Sequence, residues 1–323
     1  MPEFVDVSSE DDIPFYEESI PRTVPYHKPP PDIFDTPKSI YGFLDEQVYG
    51  HHAFKKHIAF FIWQMKNGHR PAALLIAGNS GEGKTETIRA LQKIYKNIAV
   101  TDGASITPEG FKGKNKFSSN INLLDPHNSD QPPIMVIDEV DKLICRGGWN
   151  NMELTAELLK LMEDTVLDIS LDNNTQNFIS TKNMGFILLG SFSHLSERTD
   201  GQHPIGFGCQ FDESRKTQRK PLTKEIIMDQ LSPELIGRIG HIIILDPFDQ
   251  GDFENILEDE RYSPISHAEK EYNIHINISP QKRKEIAASA FSNKTGVRSM
   301  KNEIFKCLTD ELFENPNLTE ITM

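Results

Sequence analysis

The sequence predicts an α/β fold: a three-layer αβα core around a parallel β-sheet, followed by a small, mostly helical C-terminal domain. Short apolar runs alternate with amphipathic stretches as far as residue 246, and after Asp246-Pro247-Phe248 the pattern turns helical. A strand buried on both faces reads as a continuous apolar run, and such runs alternating with helices mark a parallel sheet flanked by helices. A third observation places a ligand on that fold. Gly78-Asn79-Ser80-Gly81-Glu82-Gly83-Lys84-Thr85 completes the pattern G-x-x-x-x-G-K-[ST] directly after the first of those runs.

Each element has its own local reason. Residues 1–37 are acidic and then proline-rich (Pro21, Pro25, Pro29, Pro30, Pro31, Pro37), which reads as a flexible or extended arm. Phe43, Val48, Ala53, Ile58, Phe61 and Trp63 recur at roughly helical spacing, broken at Gly50. Runs 72–77, 134–137, 185–189 and 242–245 read as strands, with 97–100 a weaker candidate. Residues 87–94 read as a helix whose positive N-terminus faces the glycine-rich loop before it. In the tail, 274–278 and 318–323 read as short strands, and 279–291 and 297–313 as helices. Ser279-Pro280 is a helix start, with serine as N-cap and proline in the first turn. The expected organisation is an arm (1–37), a large α/β domain (38–246) and a small C-terminal domain (247–323).

Composition narrows the function classes. The 323 residues suffice for a sizeable core and two domains. Hydrophobic residues make up 37%, mean hydropathy is −0.46, and no run approaches the ~20 apolar residues of a membrane span, so no membrane partner is expected. The start, Met1-Pro2-Glu3-Phe4-Val5-Asp6, lacks the basic and apolar parts of a secretory leader and predicts a cytoplasmic location. Cys145, Cys209 and Cys307 are too scattered for a disulfide framework or zinc module, and each is expected to be a buried small hydrophobe. A net charge of −14 argues against nucleic acid as a partner, because phosphate neutralisation needs clustered Lys and Arg. Phe111-Lys112-Gly113-Lys114-Asn115-Lys116 runs the other way, with three lysines in a loop-like stretch.

The chemistry follows from two motifs. In the glycine-rich loop, backbone N–H groups turn inward on phosphates, Lys84 reaches the β/γ oxygens, and the Thr85 hydroxyl can join a Mg²⁺ shell. This predicts binding of a nucleoside triphosphate. Ile134-Met135-Val136-Ile137-Asp138-Glu139 is an apolar run that ends in two acids, and carboxylates at the C-terminal end of a central strand suit a nucleotide site at a sheet edge. Asp138 would hold Mg²⁺, directly or through water, and Glu139 would orient and polarise the attacking water.

With both motifs in place, four further segments resemble the AAA+ unfoldases of the Clp type, the ClpX branch in particular, over residues 37–323. Asp45-Glu46-Gln47-Val48-Tyr49-Gly50-His51-His52-Ala53-Phe54-Lys55-Lys56 is similar to the stretch ahead of the P-loop, where Val48 and Tyr49 would line the adenine pocket. Leu231-Ser232-Pro233-Glu234-Leu235-Ile236-Gly237-Arg238-Ile239 resembles the segment carrying the arginine finger, at Arg238. Gly296-Val297-Arg298-Ser299-Met300 is similar to the sensor-2 motif, at Arg298. Ile205-Gly206-Phe207 resembles the tripeptide loop that docks on a ClpP-type peptidase, with packing on the chain's own core as the other reading. Gly110-Phe111-Lys112-Gly113 falls where the family carries its substrate-gripping pore loop, with Phe111 packed in the core as the lesser alternative. Lys112 and Lys114 depart from the family pattern, and a basic pore entrance would favour acidic segments.

The resemblance implies ATP and Mg²⁺ as cofactors, contacted by Gly78 through Glu86, and a homo-oligomeric ring, a hexamer, acting on protein substrates. Arg238 would reach the γ-phosphate of the neighbouring subunit, and Arg298 that of its own. Sensor-1 falls on Ser191, with Ser193 close enough to compete. Glu82 stands where relatives usually have a small residue, and a carboxylate there repels phosphate oxygens unless it points away to solvent. The four-cysteine zinc domain of that branch has no counterpart in the sequence. Two other functions stay open: a remodelling chaperone that needs no peptidase, and an ATP-gated scaffold with slow turnover.

Overall fold

The computed structural model describes residues 33–145, 149–168, 178–196, 221–293 and 296–323. The chain runs through α1 (Pro37–Gln47), α2 (His52–Lys66), β1 (Ala73–Ala77), α3 (Lys84–Ile94), β2 (Ile98–Asp102), α4 (Phe117–Ile121), β3 (Ile134–Asp138), α5 (Val140–Ile144) and α6 (Trp149–Met162). An antiparallel pair, β4 (Val166–Asp168) and β5 (Phe178–Ser180), precedes β6 (Gly185–Gly190) and the short α7 (Ser193–Ser196). Next come α8 (Lys224–Met228), α9 (Pro233–Ile236) and β7 (Ile239–Ile244). The C-terminal part is α10 (Gln250–Glu258), α11 (Pro264–Tyr272), β8 (His275–Asn277), α12 (Pro280–Asn293), α13 (Val297–Glu314) and β9 (Glu320–Thr322).

The strands form one five-stranded sheet in the order β2-β3-β6-β1-β7, every neighbour parallel. Side chains alternate across a strand, so each strand feeds two cores. Leu75, Met135, Ile137 and Leu188 face one, shared with α5, α6 and α8. Leu74, Ile76, Val136 and Ile187 face the other, shared with α1, α2 and α3. That double burial explains the continuous apolar runs of β1, β3 and β6. The weak run at 97–100 forms edge strand β2, where Val100 turns to solvent. β7 starts three residues before its apolar run, because an irregularity between Ala73 and Leu74 lets it begin at Ile239 beside β1.

Local chemistry sets the helix boundaries. Thr36 caps α1, its Oγ1 accepting from the Ser39 N–H at 3.1 Å, with Pro37 at the first position. Ser279 Oγ accepts from the Lys282 N–H at 3.2 Å, the serine cap expected for α12. Asp249 and Asp252 form a reciprocal capping box on α10. The C-terminal elements enclose a core of their own, Phe253, Ile256, Ile276, Ile286, Met300, Ile304 and Ile321 among them, with Tyr49 and Phe248 against it. β8 and β9 pair in parallel through Ile276 and Ile321. Two cysteines depart from expectation: Cys145, which packs on the edge of its core, and Cys307 are half-buried, and Cys209 lies outside the described residues.

Candidate functional site

The loop between β1 and α3 lies at the C-terminal ends of the strands. Gly81 and Gly83 take left-handed φ of 81° and 83°, which turns successive N–H groups to one side. Lys84 is 7% exposed, and its ammonium donates to the carbonyls of Gly78 at 2.6 Å and Asn79 at 2.7 Å. Burial pulls its pKa below the usual lysine value, against the opposing pull of Glu82, Asp138, Asp141 and Glu139. Thr85 Oγ1 donates to Asp138 Oδ2 at 2.7 Å, so the hydroxyl and carboxylate expected at a metal come together from α3 and β3. That pair is the hard-oxygen set Mg²⁺ prefers, and the inward N–H groups with Lys84 suit phosphate, so the residues fit a metal nucleotide.

Glu139 follows Asp138 in a left-handed conformation, φ 52° and ψ 36°, as N-cap of α5. A non-glycine residue there costs of order 1 kcal/mol and clusters at functional sites. Its side chain is exposed along the cleft. At the end of β6, Ser191 lines the same cleft, and its Oγ stands 3.5 Å from Ser193 Oγ. Asp141, which sequence reasoning passed over, is 1% exposed and accepts from the Ser191 N–H at 3.0 Å and its hydroxyl at 3.2 Å.

The cleft encloses about 350 Å³ and is closed by the C-terminal part. Val48 and Tyr49 line it from the segment between α1 and α2, while Arg298 and Lys301 reach it from α13, His267 from α11 and Ile256 from α10. Tyr49 sits edge-on to Phe248 and Tyr262, and its hydroxyl donates to Asp252 at 3.1 Å. Gly296, φ 62°, starts α13 where a Cβ would lie 2.6 Å from the Gly81 carbonyl oxygen. The Val297 N–H donates to that oxygen at 3.3 Å, so helix and phosphate loop touch. His267, Lys301 and Tyr262 carry no local motif, and only the folded packing reveals them.

Other expected residues lie apart. Arg238 precedes β7 at the opposite end of the sheet from the loop, its carbonyl accepting from the Ala73 N–H at 3.1 Å and its guanidinium paired with Glu163. Phe111 is 43% exposed on the loop between β2 and α4 rather than core, with Lys112 and Lys114 exposed beside it and Gly110 at φ 85°. Ile205, Gly206 and Phe207 lie outside the described residues.

The Glu82 carboxylate does not point to solvent: it is 4% exposed, with Oε1 accepting from Asn79 Nδ2 at 2.7 Å and Oε2 buried without a partner among the described residues. The left-handed residues on either side turn it beneath the loop, towards Gly78. Burial raises its pKa above the free value, and Asp246 adds to that. Between the free and folded pKa values the fold binds more protons than the unfolded chain, so this group's contribution falls as pH rises through that window. Glu82→Gln is therefore expected to melt about 2 °C or more above the parent at pH 7–8, a gap that narrows as pH falls towards 4.5. A melting difference that does not vary with pH would refute this account.

Residues 70–242 match the family described as AAA domain (Cdc48 subfamily). The chain belongs to the AAA domain family. This AAA protein is similar to the ATP-dependent Clp protease ATP-binding subunit ClpX of Treponema denticola, with 26% identity across 88% of this chain and 78% of that one. Against the subunit named ClpX 2 of Wolinella succinogenes identity is 26% over 317 residues, 88% of this chain and 79% of the other. Against ClpX of Bacteroides fragilis it is 25%, covering 87% of this chain and 77% of the other. The parallel sheet with flanking helices is an AAA+ P-loop α/β fold, and the AAA protein is an ATPase. Among the described residues no helix is long and apolar enough to cross a membrane.

Proposed function

We propose that this chain is an ATP-dependent protein unfoldase of the ClpX type, working as a hexameric ring that threads substrate into a ClpP-type peptidase. The supporting observation is the cleft shared by the phosphate loop and α13, joined at Gly81 and Val297. A nucleotide seated there touches both parts, so its loss would let one rotate on the other, the motion a threading motor needs. In this reading Val48 and Tyr49 receive the base, Gly78 to Glu86 surround the phosphates, Thr85 and Asp138 hold Mg²⁺, and Glu139 and Ser191 act on the attacking water. Arg298 contacts the phosphates from α13. When bound, Mg²⁺ supplies charge neutralisation at the β/γ oxygens.

The exposed loop of Gly110, Phe111, Lys112 and Gly113 grips the substrate, and its lysines select acidic segments. The test is ATP-driven unfolding of a fluorescent protein bearing an acidic or a basic tail, with turnover measured alongside. Phe111→Ala is expected to lower unfolding per ATP several-fold, and Lys112→Glu with Lys114→Glu to shift preference towards the basic tail. Unchanged unfolding in both variants would remove this loop from the substrate path. Phe207→Ala is expected to abolish association with a ClpP-type peptidase. Unfolding without any such association in the parent would favour peptidase-independent remodelling.

A further inference from the structure

We propose that Asp141 is a positioning residue that accepts the hydrogen bond of the Ser191 hydroxyl, so that Ser191 offers only lone pairs to the cleft and accepts a hydrogen bond from the attacking water beside Glu139. This rests on the ATPase reading of the cleft with Glu139 as its base. An ionised carboxylate accepts and never donates, whereas a serine hydroxyl has a single proton to give. One Asp141 oxygen holds the Ser191 N–H at 3.0 Å and the other lies 3.2 Å from Ser191 Oγ. The proton of Ser191 therefore points inward to Asp141. The carboxylate is 1% exposed, and its countercharge is Lys142 Nζ at 3.6 Å from the same oxygen that faces the hydroxyl.

The placement follows from the chain. The left-handed turn at Glu139 starts α5 immediately, which sends the Glu139 side chain to the cleft and buries Asp141 two residues later against the end of β6. The same strand end is tied to the phosphate loop, because the Gly78 N–H donates to the Gly190 carbonyl at 3.2 Å. Base, hydroxyl and phosphate loop are thus held to one another through Asp141 and β6. A Ser191 that only accepts cannot stabilise phosphate charge by donation, so its contribution falls on the water and on kcat, not on nucleotide affinity.

Asp141→Asn keeps the shape and reverses the polarity: the amide oxygen still accepts from the Ser191 N–H, the amide N–H donates to Ser191 Oγ, and the hydroxyl proton turns towards the cleft. This substitution is expected to lower kcat about 10²-fold, the usual cost of misplacing a reacting group, with calorimetric affinities for ATP and ADP changed less than about twofold. Ser191→Ala should give a similar fall, and the double variant no further fall. Melting of the nucleotide-free protein supplies a second readout, in which the two substitutions should be non-additive because both act on one shared hydrogen bond, which Ser191→Ala removes and Asp141→Asn reverses. Additive losses in kcat, or a fall in the ATP-to-ADP affinity ratio of Ser191→Ala, would show the serine donating to phosphate and overturn the proposal. That ratio decides the matter even if Asp141→Asn does not fold. Glu139→Gln measured in parallel separates the two levels: retained turnover there sinks the base assignment, whereas a silent Asp141→Asn beside an inactive Glu139→Gln sinks this proposal alone.

Discussion

Glu139→Gln is expected to lower ATP turnover by ~10²-fold or more while nucleotide still binds, since positioned bases contribute ~10²–10⁴. The amide keeps the length and the left-handed backbone of Glu139 but cannot take a proton or polarise water as the carboxylate does. Nothing in the phosphate-binding set changes: Lys84 still sits under the loop carbonyls, and Thr85 still meets Asp138 at 2.7 Å. The variant should therefore accumulate in a nucleotide-loaded form. Lys84→Ala makes the contrast, because it removes the ammonium meant for the phosphates and should lose binding itself. Calorimetry with ATP and a phosphate-release assay on the two variants give the comparison. Parental turnover in Glu139→Gln would show that another group activates the water.

The two motifs were legible in the sequence, because each is local: a loop between strand and helix, and an acid pair at a strand end. The sheet was equally legible, since double burial writes itself as continuous apolar runs in β1, β3 and β6. Where burial is one-sided the signal weakens, as at edge strand β2, where Val100 is exposed. Pairing irregularities leave no trace, so the early start of β7 at Ile239 was not foreseen. The cleft's other wall was hidden for a different reason. His267, Lys301, Tyr262 and Phe248 come from separate elements and meet the nucleotide loop only through packing around Tyr49 and Gly296. Glu82 shows the limit from the opposite side: its type was visible as a departure, but whether a carboxylate faces water or turns beneath Gly78 depends on backbone angles. Asp141 had a readable signal, an acid three residues past Asp138 where a helix begins, and its meaning required the end of β6 beside it.

Arg238→Ala should leave nucleotide affinity of the isolated subunit intact yet reduce turnover of the assembled ring by ~10³–10⁵, the range for an arginine supplied in trans. The geometry within one chain supports a trans role. Arg238 stands at the start of β7 beside Ala73, whereas the phosphate loop follows Ala77 at the other end of β1, about 15 Å away along the strands at ~3.3 Å per residue. Its pair with Glu163 is exposed on the acid side, and such pairs are worth ~0–1 kcal/mol, so exchanging that contact for a neighbour's γ-phosphate costs little. Arg238 Nε is also buried without a partner among the described residues, so this pairing leaves the guanidinium incompletely satisfied. Glu163→Ala separates the two roles, because it removes the ion pair while keeping the guanidinium, and it should retain turnover. Mixing carries the test further. A ring of Arg238→Ala and Glu139→Gln subunits contains interfaces where an intact base meets an intact finger, and random equal mixing makes these roughly a quarter of the total in a closed head-to-tail ring. Turnover in the mixture should therefore rise towards roughly that fraction of the parent, although neither variant alone is active. Mixed rings verified by mass that show no recovery would place the catalytic contribution of Arg238 within its own subunit, and the trans assignment would have to be abandoned.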